Sequence, residues 1–204
     1  MLYIVGCSYS ADYCWPKFVK YDHINYSEPG AGNKYIYACV DQIPLSSKDS
    51  IIVQFSEVER IDLVLDKNSA FNQTLQDVPS IRQRELKNCI AWCTAGPRGA
   101  WNNNPVGKRY LVPLMREYYS EHSQKIETLA WITQVKKIVQ DSGARSLYLT
   151  LQDLDNSLFQ SPPMNKWAHD NGMLDDDEFH LSHQGNLDYY NSFISEFVNA
   201  GEAC

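Results

Sequence analysis

Four short stretches of the chain carry side chains whose types and spacing suit one reaction. Gly6-Cys7-Ser8-Tyr9-Ser10 follows the apolar run Leu2-Tyr3-Ile4-Val5. That run fits a buried strand, and the glycine lets the backbone turn sharply. A hydroxyl then stands at the strand's carboxyl end, where open α/β sheets hold their ligands. Ser8 is the first choice for the working atom, with Ser10 close behind. Far along the chain, Asp177 and His180 are three residues apart, close enough for one loop to present both. Nucleophilic catalysis needs a hydroxyl, an imidazole to take its proton and a carboxylate to orient the imidazole. Ser8, His180 and Asp177 supply those parts. A third stretch, Gly30-Ala31-Gly32-Asn33, opens a helix and offers backbone N–H groups to a developing negative charge. The fourth, Gln54-Phe55-Ser56-Glu57, ends another apolar strand and has Arg60 just beyond it. The Ser8 and Gly32 N–H groups are the natural oxyanion donors. Taken singly, each stretch has a plainer reading: a capped turn, a solvated acidic loop, a packed histidine.

These groups work together only if the chain brings them to one edge. Strand patterns fall near 2–7, 23–26, 50–55 and 146–151, with helical patterns between them. Residues 34–43 have one apolar face, Asn33 is placed to cap them, and Pro44 lies past their end. Residues 125–139 carry the clearest helical periodicity, with Gly143 as the stop. A last helix runs from about Ser182 to Val198. A short helix is expected over 11–19, interrupted by Pro16, and a helix over 79–93; residues 110–119 also have helical character. Residues 61–78 read as a polar excursion from the sheet, and 94–107 as the least regular stretch. Strands alternating with helices favour a parallel sheet covered on both faces. We find no internal repeat and no linker. The expectation is therefore a single domain over 1–204 with an irregular insertion around 61–125.

Composition narrows the partners. The net charge of −7 and the absence of a Lys/Arg block argue against nucleic acid and against an anionic membrane surface. No segment has the apolar length to span a bilayer. The first residues enter a strand pattern directly, without a secretory leader. A cytoplasmic protein, or one released without a signal peptide, is expected. Six cysteines form neither a CxxC pair nor a secreted disulfide framework. Cys7 and Cys39 lie in apolar patterns and are expected to be buried thiols. Cys89 and Cys93, four apart on the expected helix, have the spacing to share a metal but no second ligand pair, so no metal and no cofactor is expected.

The order of the pieces resembles the SGNH/GDSL hydrolases. The nucleophile motif is matched by Gly6-Cys7-Ser8-Tyr9-Ser10, the oxyanion glycine by Gly32, and the last block by Asp177-Glu178-Phe179-His180 with Gly185 five residues on. Cys7 stands where an acidic residue is usual. The third block departs further: Ser56 occupies the position of an asparagine whose side chain donates to the oxyanion. A serine hydroxyl is shorter and rotates freely, so Asn33 or Gln54 are alternative third donors. The resemblance implies a flavodoxin-like three-layer α/β/α sandwich with a mostly parallel sheet, and ester hydrolysis by a Ser8-His180-Asp177 triad.

For the substrate, Trp101, Asn103, Tyr110 and Trp167 lie in or near irregular segments. Aromatic faces with amides suit sugar rings. A small acyl group on a carbohydrate, or another small-molecule or glycan ester, is the expected substrate. Arg60 either faces the cleft or pairs with Glu57. Two rival functions share this scaffold: a module that binds a glycan or protein without turnover, and an acyltransferase.

Overall fold

The structure, a computed structural model, describes residues 1–76, 82–93, 109, 112–113, 120–154, 158–177 and 180–201. The chain divides into two compact units, one of Met1–Ser27, Leu45–Ser56 and Val139–Cys204, the other of Glu28–Pro44 and Glu57–Ile138. Among the described residues no helix is long and apolar enough to cross a membrane.

The first unit is built on β1 (Leu2–Val5), β2 (His23–Asn25), β3 (Ser50–Phe55) and, reached later in the chain, β7 (Arg145–Thr150). They form a four-stranded, all-parallel sheet in the order β2-β1-β3-β7. Every residue of β3 from Ile51 to Phe55 is buried, including those that point to opposite faces. A strand covered on both faces carries no polar alternation, which is why these strands read as continuous apolar runs. The sheet order reverses between β1 and β3, the place where such sheets bind ligands at their carboxyl edge.

Helices flank this sheet, giving a mixed α/β fold compatible with a three-layer α/β/α sandwich. The expected helix over 11–19 is instead a pair of 3-10 turns, Ser8–Ser10 and Trp15–Phe18, with Pro16 early in the second. Proline cannot donate within a helix and fits only its first turn. The helical end of the chain comprises α4 (Met164–Asp170), α5 (His183–Tyr189), a π-helical stretch at Tyr190–Ile194, and α6 (Ser195–Asn199). Ser182 caps α5, its hydroxyl accepting the Gly185 N–H at 3.1 Å.

The second unit holds α1 (Asn33–Val40), β4 (Asp62–Asp66), α2 (Ala70–Gln76), β5 (Arg82–Glu85), β6 (Cys89–Cys93) and most of α3 (Glu121–Ser142). Here two expectations are corrected. The stretch read as a polar excursion over 61–78 takes no part in the parallel sheet, as expected, but it is not irregular, since it contains β4 and α2. Where a helix was expected over 79–93, the described residues 82–93 form a hairpin, β5 and β6, joined at Lys87-Asn88 and closed by the Leu86 N–H on the Cys89 carbonyl at 2.9 Å. The three strands form an antiparallel sheet in the order β4-β6-β5. Its register sets Leu63 opposite Trp92 and Leu65 opposite Ile90. These four pack with Leu75, Phe71 and Val112. The period is two, not 3.6: Ile90 and Trp92 share a face because they are strand neighbours. The correction also separates Cys89 from Cys93. At strand rise they are about 13 Å apart, too far to share one metal.

Candidate active site

The turn after β1 places Ser8 at the carboxyl edge of the parallel sheet. Ser8 is buried, with 6% of its surface exposed. A loop between Leu174 and Leu181, pinched at its base by a β-bridge between those residues, brings the histidine to it. The Asp175 N–H donates to the His180 carbonyl at 2.7 Å and reinforces the loop. His180 Nε2 lies 3.1 Å from Ser8 Oγ, and His180 Nδ1 lies 2.6 Å from Asp177 Oδ2. The other Asp177 oxygen, Oδ1, accepts the His180 backbone N–H at 2.8 Å. One carboxylate thus holds both the main chain and the ring of the histidine.

Proton positions follow from these contacts. An ionised carboxylate only accepts, so Nδ1 carries the ring proton. Nε2 is then left with a lone pair facing the Ser8 hydroxyl. This is the arrangement a serine nucleophile needs before attack. The Tyr9 ring packs at a tilt against the imidazole, with centroids 5.0 Å apart. The pair remains open to solvent, with the His180 side chain 36% and the Asp177 side chain 48% exposed. Behind the loop, Gly185 lets the chain close on itself: a Cβ there would meet the Met173 carbonyl oxygen at 2.6 Å.

The expected oxyanion donors fare unevenly. Ser8 opens a single 3-10 turn, and the first N–H groups of a helical turn have no acceptor within it. Gly32 is different. Its N–H donates to Asp62 Oδ1 at 2.8 Å, and the Tyr35 N–H donates to Asp62 Oδ2 at the same distance. The helix start that the sequence offered to an external anion is capped by an internal carboxylate, and the Gly32 N–H is committed to it. Asn33 is the first residue of α1, not its cap. It is buried, with its amide 3.5 Å from the Thr128 hydroxyl. Gln54 is fully buried and bonded within the first unit: Oε1 accepts from Ser10 at 2.9 Å, and Nε2 donates to the Phe55 carbonyl at 3.0 Å. Ser56 is buried just past the end of β3.

Of the expected substrate residues, Trp101, Asn103 and Tyr110 lie outside the described residues. Trp167 packs edge-on against Tyr189, with centroids 5.2 Å apart, and against Phe193. It contributes to the packing of α4 on the last helical segment. Arg60 pairs with Glu57 at 3.2 Å, the ion-pair alternative of the two weighed for it. No group of three or more His, Cys, Asp or Glu side chains able to hold a metal occurs among the described residues. Cys7 and Cys39 are buried, as their patterns indicated. The Cys14 thiol is buried too, which pushes its pKa up to about 12.

Asp62 had no signal in the sequence, because its partners lie some thirty residues away across a loop. Burial pushes its carboxyl up to about 7, opposed by the Tyr35 and Gly32 N–H groups and by Arg60 and Lys34. Unfolded, the group returns to its ordinary 3.8. Folding therefore favours the protonated form. Its contribution to stability is full below about pH 4 and is lost as pH rises towards 7. Asp62→Asn removes this titration. Thermal unfolding followed from pH 4 to 8 is expected to show the variant gaining on wild type as pH rises. Parallel curves would contradict the assignment.

No family model matches the chain, and comparisons with curated proteins and with solved structures give no significant match.

Proposed function

We propose that the protein is a serine hydrolase of the SGNH/GDSL type that cleaves an acyl ester, with Ser8 as nucleophile, His180 as general base and Asp177 as the orienting carboxylate. The observation that carries this reading is the unbroken chain from Ser8 Oγ through the His180 ring to Asp177, at 3.1 and 2.6 Å. Residues 8 and 180 meet at the switch point of a parallel sheet, where chemistry is commonly placed.

In the forward step, Ser8 Oγ attacks the ester carbonyl while His180 Nε2 takes its proton. Asp177 stabilises the imidazolium through Nδ1. The tetrahedral oxyanion takes the Ser8 N–H as its first donor. Collapse returns the proton from His180 to the leaving alcohol. Water, deprotonated by the same imidazole, then releases the acid and restores Ser8. The whole cycle uses side chains and backbone of this chain. A small acyl group on a carbohydrate is the substrate class expected from Trp101, Asn103 and Tyr110.

A second reading is favoured by the Gly32 N–H being held by Asp62, and by the Gln54 amide being held inside the sheet edge. A scaffold short of oxyanion donors can bind a glycan or a protein without turning it over. An assay on aryl acetates and O-acetylated sugars separates the two. Acid release by wild type and none by Ser8→Ala supports the hydrolase. Equal release by both, or release by neither, refutes it. Acylated acceptor in place of free acid would identify an acyltransferase.

A further inference from the structure

The carboxyl end of β3, beside the nucleophile turn, carries a buried hydrogen-bond chain that the proton relay does not use. β1 and β3 run in register, with Ile4 beside Ile52 and Val5 beside Val53. The next step along the ladder brings Gly6 beside Gln54. A Cβ at Gly6 would meet Gln54 Cβ at 3.1 Å and the Ser10 side chain at 3.1 Å. The glycine therefore leaves the gap through which the Gln54 carboxamide crosses to the turn.

Once across, Gln54 Oε1 accepts two hydrogen bonds, from the Ser10 hydroxyl at 2.9 Å and from the Cys7 thiol at 3.4 Å. Those two residues bracket Ser8. The Ser10 hydroxyl in turn accepts the Trp15 indole N–H at 3.2 Å. On the far side, the Cys14 thiol donates to the Ser8 carbonyl at 3.1 Å. Cys7, Ser10, Trp15 and Gln54 are all fully buried.

Every direction in this chain is determined. The indole only donates, so the single Ser10 proton must go to Gln54. The Phe55 carbonyl only accepts, so the Gln54 NH₂ faces it and the oxygen faces the turn. None of the four side chains is exposed to bulk solvent. A buried network whose polar side-chain atoms are each hydrogen-bonded favours one geometry.

We infer that Gln54 and Ser10 are positioning residues for Ser8: the Gln54 carboxamide oxygen clamps both flanks of the nucleophile turn and holds Ser8 Oγ in line with His180 Nε2. This rests on the reading of Ser8 as a nucleophile. It gives Gln54 a different task from the oxyanion donor that its place in the third block had suggested. A misplacement of the reacting atom by about 1 Å can cost on the order of a hundredfold in rate.

The test is the rate at which a fluorophosphonate probe phosphonylates Ser8, a displacement that joins Ser8 Oγ to phosphorus, expels fluoride and leaves the proton on His180. Ser10→Ala and Gln54→Met are compared with wild type, folding being verified by circular dichroism at the assay temperature. Ser10→Ala is the smaller change and decides the matter should Gln54→Met not fold. The clamp is expected to act on the limiting labelling rate, lowering it roughly 10- to 100-fold. Probe affinity stays within about twofold, and the pH at half-maximal labelling is unchanged, because the His180–Asp177 pair is untouched. Amide hydrogen exchange at Ser10 and Ala11 rises in the same variants. Folded variants that label as fast as a reactive wild type overturn the clamp and leave the hydrolase reading standing. A wild type that takes no probe overturns both.

Discussion

Replacing His180 with alanine is expected to lower ester turnover roughly a million-fold, the scale seen when a serine hydrolase loses its base. The size of the effect follows from the geometry. Among the described residues, His180 Nε2 is the base that the structure sets beside Ser8 Oγ, at 3.1 Å. A serine hydroxyl is a weak nucleophile without a partner to take its proton. The ring is also one wall of a contact with Tyr9 at 5.0 Å, but it is partly exposed, so its loss should leave the fold intact. Steady-state hydrolysis of an aryl acetate, with circular dichroism as the control, measures this. A loss of less than tenfold in a folded variant would contradict the assignment.

Asp177→Asn is expected to cost about 10⁴-fold in kcat, by an argument specific to this loop. Asp177 Oδ1 is pinned by the His180 backbone N–H at 2.8 Å. Asparagine must keep its oxygen there to satisfy that donor. Its NH₂ then falls at the Oδ2 position, 2.6 Å from Nδ1 in the native protein. A donor at Nδ1 forces the ring proton onto Nε2, which can no longer accept from Ser8. The change is one of tautomer, and the fold and substrate affinity should persist. A fall in kcat with KM within a fewfold of wild type is the expected pattern. An effect on KM alone would mean that Asp177 serves binding instead.

The parts of this architecture that were legible in the sequence are those whose pattern matches their environment. β1 and β3 sit in the centre of a parallel sheet, buried on both faces over Ile4–Val5 and Ile51–Phe55, so both strands read as apolar runs. The helical pattern over 125–139 is long, although Ile126 is exposed, and α3 ends where Gly143 indicated. The meeting of Ser8 with Asp177 and His180 was anticipated from residue type and spacing, and the structure brings the three side chains within hydrogen-bond distance. Gly185 was readable by offset, and its close approach to Met173 supplies the reason.

What stayed hidden depends on contacts distant in sequence. Residues 79–93 carry apolar side chains that fit a helical face almost as well as a strand. Only the pairing of β6 with β4 decides between them, and β-structure answers to its neighbours more than to intrinsic preference. Asp62 is one of several acidic residues in its stretch of sequence, and its role as the cap of α1 exists only after β4 is placed beside that helix. The same contact changes the meaning of Gly32, whose N–H was legible as an anion donor while the anion was not. Gln54 was noticed for its position but read for its NH₂. In the structure its oxygen is the atom that reaches the turn around Ser8.

The most direct test of the account is intact mass after exposure to a fluorophosphonate. Wild-type protein is expected to gain a single phosphonyl adduct, mapped by peptide analysis to Ser8, and Ser8→Ala is expected to gain none. A folded wild type that stays unmodified, or a Ser8→Ala protein labelled to the same extent, would contradict the claim that Ser8 is an activated nucleophile.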